Sequence, residues 1–191
     1  MGTLDEQSRA IQFYHAAQNG DAETIGNLLA QHPSLVSLRV SGSTPLSKAA
    51  FYGHPEVVKL LLGAGAAPDG TDSDGDRAID LAVLSMVSVT GKPAECAQII
   101  QHLIAAGQRP KQEDLQMALT VAVSHGKLGI ADYLASLGVS PDSFAMQQYQ
   151  QLKNRTANTG PRAGGGSGCL SGATPAVLLL VLACSVYWIC R

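Results

Sequence analysis

The sequence predicts an all-α solenoid of about four helix pairs, followed by a glycine-rich linker and one C-terminal transmembrane helix. Three observations lead there. Gly20 and Gly53, each directly before a segment of helical apolar spacing, are separated by about 33 residues, and a period of that size marks a repeat array. The stretch from Gly42 to Ala66 reads as two short helices, neither able to bury its apolar face alone. Between Ala173 and Cys190 no side chain is charged. The expected organisation is a repeat domain with capping helices over residues 1–153, a flexible linker over 154–172 and a transmembrane helix over 173–190.

Copy two, "GSTPLSKAAFYGHPEVVKLLLGAGA", carries the clearest local chemistry. The Thr44 hydroxyl can cap a helix beginning with Pro45, since a hydroxyl accepts a free N–H and proline loses no hydrogen bond at that position. Val57, Val58, Leu61 and Leu62 form one apolar face of the second helix. Gly65 suits the left-handed residue just past its end. Thr44-Pro45-Leu46, Ala49-Ala50, Gly53-His54, Val57-Val58 and Gly65-Ala66 together resemble the ankyrin repeat, with Ser47 where that family has histidine. The resemblance implies a stack of such pairs with short β-hairpin fingers over roughly residues 8–142, and puts in question the bonds that the histidine makes between loops.

The other copies keep the register. "HAAQNGDAETIGNLLAQHP" supplies copy one. In copy three, "GDRAIDLAV" aligns Ala78-Ile79 with Pro-Leu, and "AQIIQHLIAAGQ" closes it. Gly65 and Gly107 stand more than one period apart, which gives copy three about nine extra positions. Those include "LSMVSVTGKPAE", in which Leu84, Met86, Val87 and Val89 either continue the first helix or begin a protruding loop turned at Gly91-Lys92-Pro93. Copy four is "LTVAVSHGKLGIADYLASLGVSPD". About three stacked units are needed for stability, and terminal ones act as caps. A last helix is expected from Ser140 as cap and Pro141 as first residue, with Phe144, Ala145, Tyr149 and Leu152 on its packed face.

Composition and motifs narrow the chemistry. A formal net charge of −2 lacks the basic stripe of a nucleic-acid binder. Cys96, Cys169, Cys184 and Cys190 form no CxxC pair or ligand cluster, which argues against a disulfide framework or a zinc site. "DGTDSDGDRAID" fails as a calcium loop: with Gly75 at the sixth position, Gly70 falls at the first and Leu81 at the twelfth. Asp72, Ser73, Asp74 and Gly75 suit a finger turn instead. "GGGSG" lacks the lysine and hydroxyl of a phosphate loop. No nucleophile, base or metal set emerges, so neither an enzyme nor a cofactor nor a small-molecule substrate is expected.

The ankyrin resemblance implies a protein partner bound on a concave surface of fingers and first helices. Carried over by position, the pairs after Ala-Ala are Gln18 and Asn19, Phe51 and Tyr52, and Ser124 and His125. The finger positions are Val40, Ser41 and Ser43, then Ser73, Asp74 and Asp76. Phe51 and Tyr52 stand out, because aromatic side chains supply contact area at low entropic cost.

In the tail, Thr174 and Pro175 can start a helix running to Cys190. A helix of about 16 residues spans about 24 Å, short against a hydrocarbon core of about 30 Å. The run has no polar face, follows a glycine linker and ends with Tyr187 and Trp188 as interfacial aromatics. Lys153, Arg155 and Arg162 precede it, which places the repeats on the cytosolic side. "MGTLDEQSRA" shows no N-terminal targeting pattern, and Glu6 stands where a myristoylation signal has Ser or Thr. The expectation is a tail-anchored protein, its short span suiting the endoplasmic reticulum or mitochondrial outer membrane, with Cys169 open to S-palmitoylation. Two alternatives stand beside it. The tail could mediate oligomerisation of a soluble interaction protein, or act as a cleaved signal for glycolipid anchoring, with small residues at Ser167-Gly168.

Overall fold

In copy two the first residue of each helix is proline, the position at which a missing N–H costs nothing. α3 (Pro45–Phe51) is capped by Thr44, whose Oγ1 accepts from the Ser47 N–H at 3.0 Å, while the Thr44 N–H donates to Ser47 Oγ at 3.0 Å. Ser47 Oγ also donates to the Thr44 carbonyl at 2.8 Å. The serine in the histidine position thus bonds within its own turn. α4 (Pro55–Gly63) buries Val57, Val58 and Leu61, each contributing about 1.5–3 kcal/mol of apolar burial. It ends on Gly65 at φ +91°. There the Ala66 N–H reaches the Leu61 carbonyl at 2.9 Å and the Gly65 N–H reaches that of Leu62 at 3.1 Å, the paired bonds of a left-handed helix stop.

The computed structural model describes residues 2–88, 92–140 and 142–158. Around α3 and α4 run α1 (Gly2–Asn19), α2 (Ala22–Gln31), a short 3-10 helix (Pro33–Ser37), α5 (Ala78–Val87), α6 (Pro93–Ala105), α7 (Gln112–Ser124), α8 (Leu128–Ser136) and α9 (Phe144–Asn158). One bonding pattern recurs where the first helix of a pair meets the second. The N–H of Asp21 donates to Ala16, that of His54 to Ala49 and that of Lys127 to Ala122, all at 2.8–2.9 Å. The register read for copies one, two and four is therefore the register of the turns.

The chain divides into two compact units between Ala118 and Leu119, within α7. In the first unit α1, α3 and α5 pack side by side as one layer, and α2, α4 and α6 as the other. Phe13, Ile25, Leu61, Ile79, Ile99 and Leu103 fill the space between them. In the second unit the α9 residue Tyr149 donates its hydroxyl to Asp132 of α8, and Lys153 pairs with the same carboxylate at 3.2 Å.

One open alternative is decided and two expectations change. The extra residues of copy three lengthen helices. α5 starts one full period after α3, but α6 starts later than one period after α4 and is 13 residues long against 9. Leu84 and Met86 are buried within α5 and Val87 is its last residue, so helix continuation holds and an apolar loop from Leu84 does not form. Val89 and Gly91 lie outside the described residues. α9 begins at Phe144, and Pro141, the expected first residue, lies outside the described residues. Ser143 N–H closes a turn on the Ser140 carbonyl at 3.0 Å, and Ser143 Oγ then accepts from the Met146 N–H at 3.2 Å, which makes Ser143 the cap. With that start, Ala145 and Tyr149 are buried, Leu152 is half-buried, and Phe144 is 53% exposed.

Residues 159–191, and with them Cys169 and the expected span 173–190, lie outside the described residues. Among the described residues, no helix is long and apolar enough to cross a membrane.

Candidate protein-binding surface

The two fingers of the first unit are short hairpins. Val40 and Ser43 exchange both backbone hydrogen bonds at 3.0 Å across Ser41 and Gly42, whose φ values of +50° and +81° make the tight turn. In the second finger, Thr71 bridges Arg77, and Asp72 Oδ1 accepts the N–H groups of Asp74 and Asp76 at 3.0 Å each. The sequence reading of a turn at Asp72–Gly75 corresponds to this side-chain-braced loop. Ser41, Ser73 and Asp74 are exposed, whereas Val40, Ser43 and Asp76 are half-buried.

Polar groups tie the fingers together. Arg39 donates to the Gly42 carbonyl at 3.1 Å and the Thr71 carbonyl at 2.6 Å. A Cβ on Gly42 would sit 2.8 Å from that of Ser73, so Ser73 is a packing residue as well as an exposed one. Asp80, in the register position of Ser47, is fully buried and chelated by Arg77 at 2.9 and 3.1 Å. It also accepts the Lys111 N–H at 3.0 Å. Asp80 thus makes the link to the next copy that Ser47 does not make. The Lys111 ammonium pairs with Asp76 at 3.4 Å and lies 3.7 Å from Asp80. Burial lowers the Lys111 pKa, but the two carboxylates outweigh it and hold the group above its ordinary value.

Asp114 stands beside this cluster with its Oδ2 sealed from solvent and without a hydrogen bond. Burial first, then the charges of Asp80 and Asp76, push its pKa up to about 6. Asp76 faces the Lys111 ammonium, and Asp80 faces Arg77 and backbone N–H groups. Among the described residues, no group of three or more His, Cys, Asp or Glu side chains is arranged to hold a metal ion.

On the helices, Phe51 and Tyr52 meet edge to face, ring centroids 5.2 Å apart, with Phe51 half-buried and Tyr52 42% exposed. The Phe51 carbonyl is held by Ser85 Oγ of α5 at 2.7 Å. Asn19 is exposed and Gln18 half-buried; the Gln18 carbonyl accepts from His54 Nε2–H at 2.9 Å, joining successive turns. Burial and nearby Lys92 depress the His54 pKa against the opposing effect of that carbonyl, so the ring is neutral. In the second unit, Ser124 and His125 are exposed, and both donate to the Val121 carbonyl, at 2.9 and 2.8 Å.

Sequence reasoning passed over Tyr14, His15 and Lys48. Lys48 Nζ lies 5.9 Å from the Tyr14 ring centroid, over its face, and Tyr14 meets His15 edge to face at 6.4 Å. The available signal was register: His15 and Lys48 both immediately precede an Ala-Ala pair, one repeat period apart. Elsewhere on α1, an open cleft of about 530 Å³ is lined by Glu6, Arg9, His32 and Leu35, and Arg9 donates to His32 Nε2 across it at 2.8 Å.

Comparison with known proteins agrees with the repeat geometry. Residues 13–90 match the family described as ankyrin repeats (3 copies), which are protein–protein interaction modules, typically without catalytic groups. Over 79 residues, the chain is 34% identical to the NAD-capped RNA hydrolase NUDT12 of Homo sapiens, and equally to that of Macaca fascicularis. The match covers 41% of this chain and 17% of each relative. Over 40 residues it is 55% identical to the E3 ubiquitin-protein ligase hecd-1 of Caenorhabditis elegans, covering 21% of this chain and 2% of that protein. The chain thus matches only a small part of these relatives, and the NUDT12 match lies in the ankyrin region.

Proposed function

We propose that the chain is a non-enzymatic scaffold or adaptor that binds a protein partner through its first helices and fingers and is held on the cytosolic face of a membrane by residues 173–190. The observation that carries the binding reading is the Phe51–Tyr52 pair: two aromatic rings at the end of α3, one of them 42% exposed, in the positions after Ala-Ala. The membrane reading is supported by the uncharged run 173–190 and by the basic residues Lys153, Arg155 and Arg162 before it. A tether raises the local concentration of partners on the same membrane, so modest intrinsic affinity suffices.

Alkaline carbonate extraction of the full chain and of a 1–168 truncation, with protease protection on the same membranes, tests the tether. Retention of the full chain, release of the truncation and loss of the repeats to protease from intact vesicles is the expected result. Equal extraction of both forms removes the membrane from the proposal and turns attention to oligomerisation through the tail. Proximity labelling with wild type and Tyr52→Ala tests the binding face: partners should be labelled by the former and lost from the latter.

A further inference from the structure

The helical part of this surface has a charge as well as a shape. From Arg9 to Asn19 and from Pro45 to His54 the sequence carries Arg9 and Lys48 and no acidic residue. Lys48 and Tyr52 stand one helical turn apart on and just past α3, hence on one face. Lys92, just before α6, lies close by: a Cβ on Gly53, the residue after Tyr52, would lie 3.6 Å from Lys92 Cβ. Among the described residues, neither Lys48 nor Lys92 forms an ion pair with a carboxylate. Lys48 instead sits over the Tyr14 ring. One ammonium without a carboxylate partner thus stands a helical turn from the exposed Tyr52, and a second lysine side chain approaches the residue that follows it. Two acidic residues of the neighbouring finger are separately engaged, Asp72 on backbone N–H groups and Asp76 on Lys111.

Resting on the protein-binding reading, we propose that the surface of Tyr14, Lys48, Phe51, Tyr52 and Lys92 takes an acidic peptide segment. Carboxylates of the segment meet the two ammonium groups, and an aromatic or aliphatic side chain between them lies against the Phe51–Tyr52 edge. Charge complementarity sets the partner's sign and gives speed and register to the encounter, while the desolvated aromatic contact supplies most of the affinity.

The test is selection of a random displayed-peptide library on the full chain, followed by titration of the enriched peptides against variants. Enriched peptides should pair Asp or Glu with Phe, Tyr, Trp or Leu. Lys48→Glu should weaken them about tenfold and flatten the salt dependence, Lys48→Arg should retain binding, and Tyr52→Ser should weaken them about tenfold. Leu60→Ser, at an exposed apolar residue of α4, is the control and should leave affinity unchanged. Unaltered far-ultraviolet circular dichroism separates lost contact from lost fold. Enrichment of basic or uncharged peptides, or of acidic ones indifferent to Lys48→Glu, overturns the acidic-segment inference and leaves the interaction module standing. Failure of any peptide to bind saturably, together with loss of the Tyr52-dependent proximity labelling, overturns both.

Discussion

Asp114 offers the most direct test of how the repeat junction is held together. Its Oδ2 is enclosed without a partner, and its pKa stands at about 6 against an ordinary 3.8. Because the folded-state value lies above the unfolded one, folding favours the protonated acid. Between roughly pH 4 and 6 the folded chain binds more protons than the unfolded chain, so stability from this group falls as pH rises through that window. The shift corresponds to at most about 3 kcal/mol at neutral pH, and partial solvent contact reduces the usable figure to about 1–2 kcal/mol. Asp114→Asn removes the charge and keeps the shape. Urea denaturation of both proteins at several pH values should show the variant more stable by about 1–2 kcal/mol at pH 7, and the difference should close as pH falls towards 4. A variant less stable at pH 7, or a gap that does not change with pH, would refute the assignment of a buried, charge-crowded carboxylate.

Three other outcomes follow from the packing. Gly20→Ala must hold a residue at φ +79° and place its Cβ 2.3 Å from the His54 ring, so its thermal midpoint should fall further than that of Gly65→Ala. The latter meets only the left-handed penalty of about 1–2 kcal/mol, since nothing lies within 4 Å. Arg77→Met leaves the buried Asp80 carboxylate with two backbone N–H groups and the more distant Lys111 ammonium; urea unfolding should show a loss of about 3–5 kcal/mol, most of it restored by adding Asp80→Leu. Leu84→Ala should cost about 2–5 kcal/mol in the same assay, whereas Tyr52→Ala should change stability by about 0.5 kcal/mol or less and act on binding.

Copy two was legible in the sequence because its chemistry is local. Thr44, Pro45, Gly53 and Gly65 each act within a turn, and the Val57-Val58-Leu61 stripe is a property of one helix. Where two local solutions competed, sequence could not choose. Ser140 and Ser143 are both hydroxyls ahead of the same apolar face, and the turn that Ser143 closes on Ser140 decides between them. Leu84, Met86 and Val87 read equally as helix or loop, since burial depends on neighbours absent from the segment. At the candidate surface, Phe51 and Tyr52 are visible by register, but Lys48 over Tyr14 joins residues of two different copies. Asp114 gave no signal at all, because the carboxylates that crowd it, Asp76 and Asp80, come from a distant part of the sequence.

α3 and α5 put one set of repeat positions to two different uses. Lys48, Phe51 and Tyr52 correspond, one period on, to Leu81, Leu84 and Ser85. The first three are half-buried or exposed, whereas the second three are only 5–8% accessible. Ser85 even turns its hydroxyl back to the Phe51 carbonyl, so a position open for contact in copy two serves cohesion in copy three. The same substitution pattern appears at the turn: Ser47 bonds locally, while Asp80 joins its own copy to the next through Arg77 and Lys111. Copy three is thus built to hold its neighbours, with longer helices, an apolar first helix buried on every side and an ionic junction. That division leaves copies one and two of the first unit free to present aromatic and cationic side chains, because the apolar area needed for stability is supplied next door.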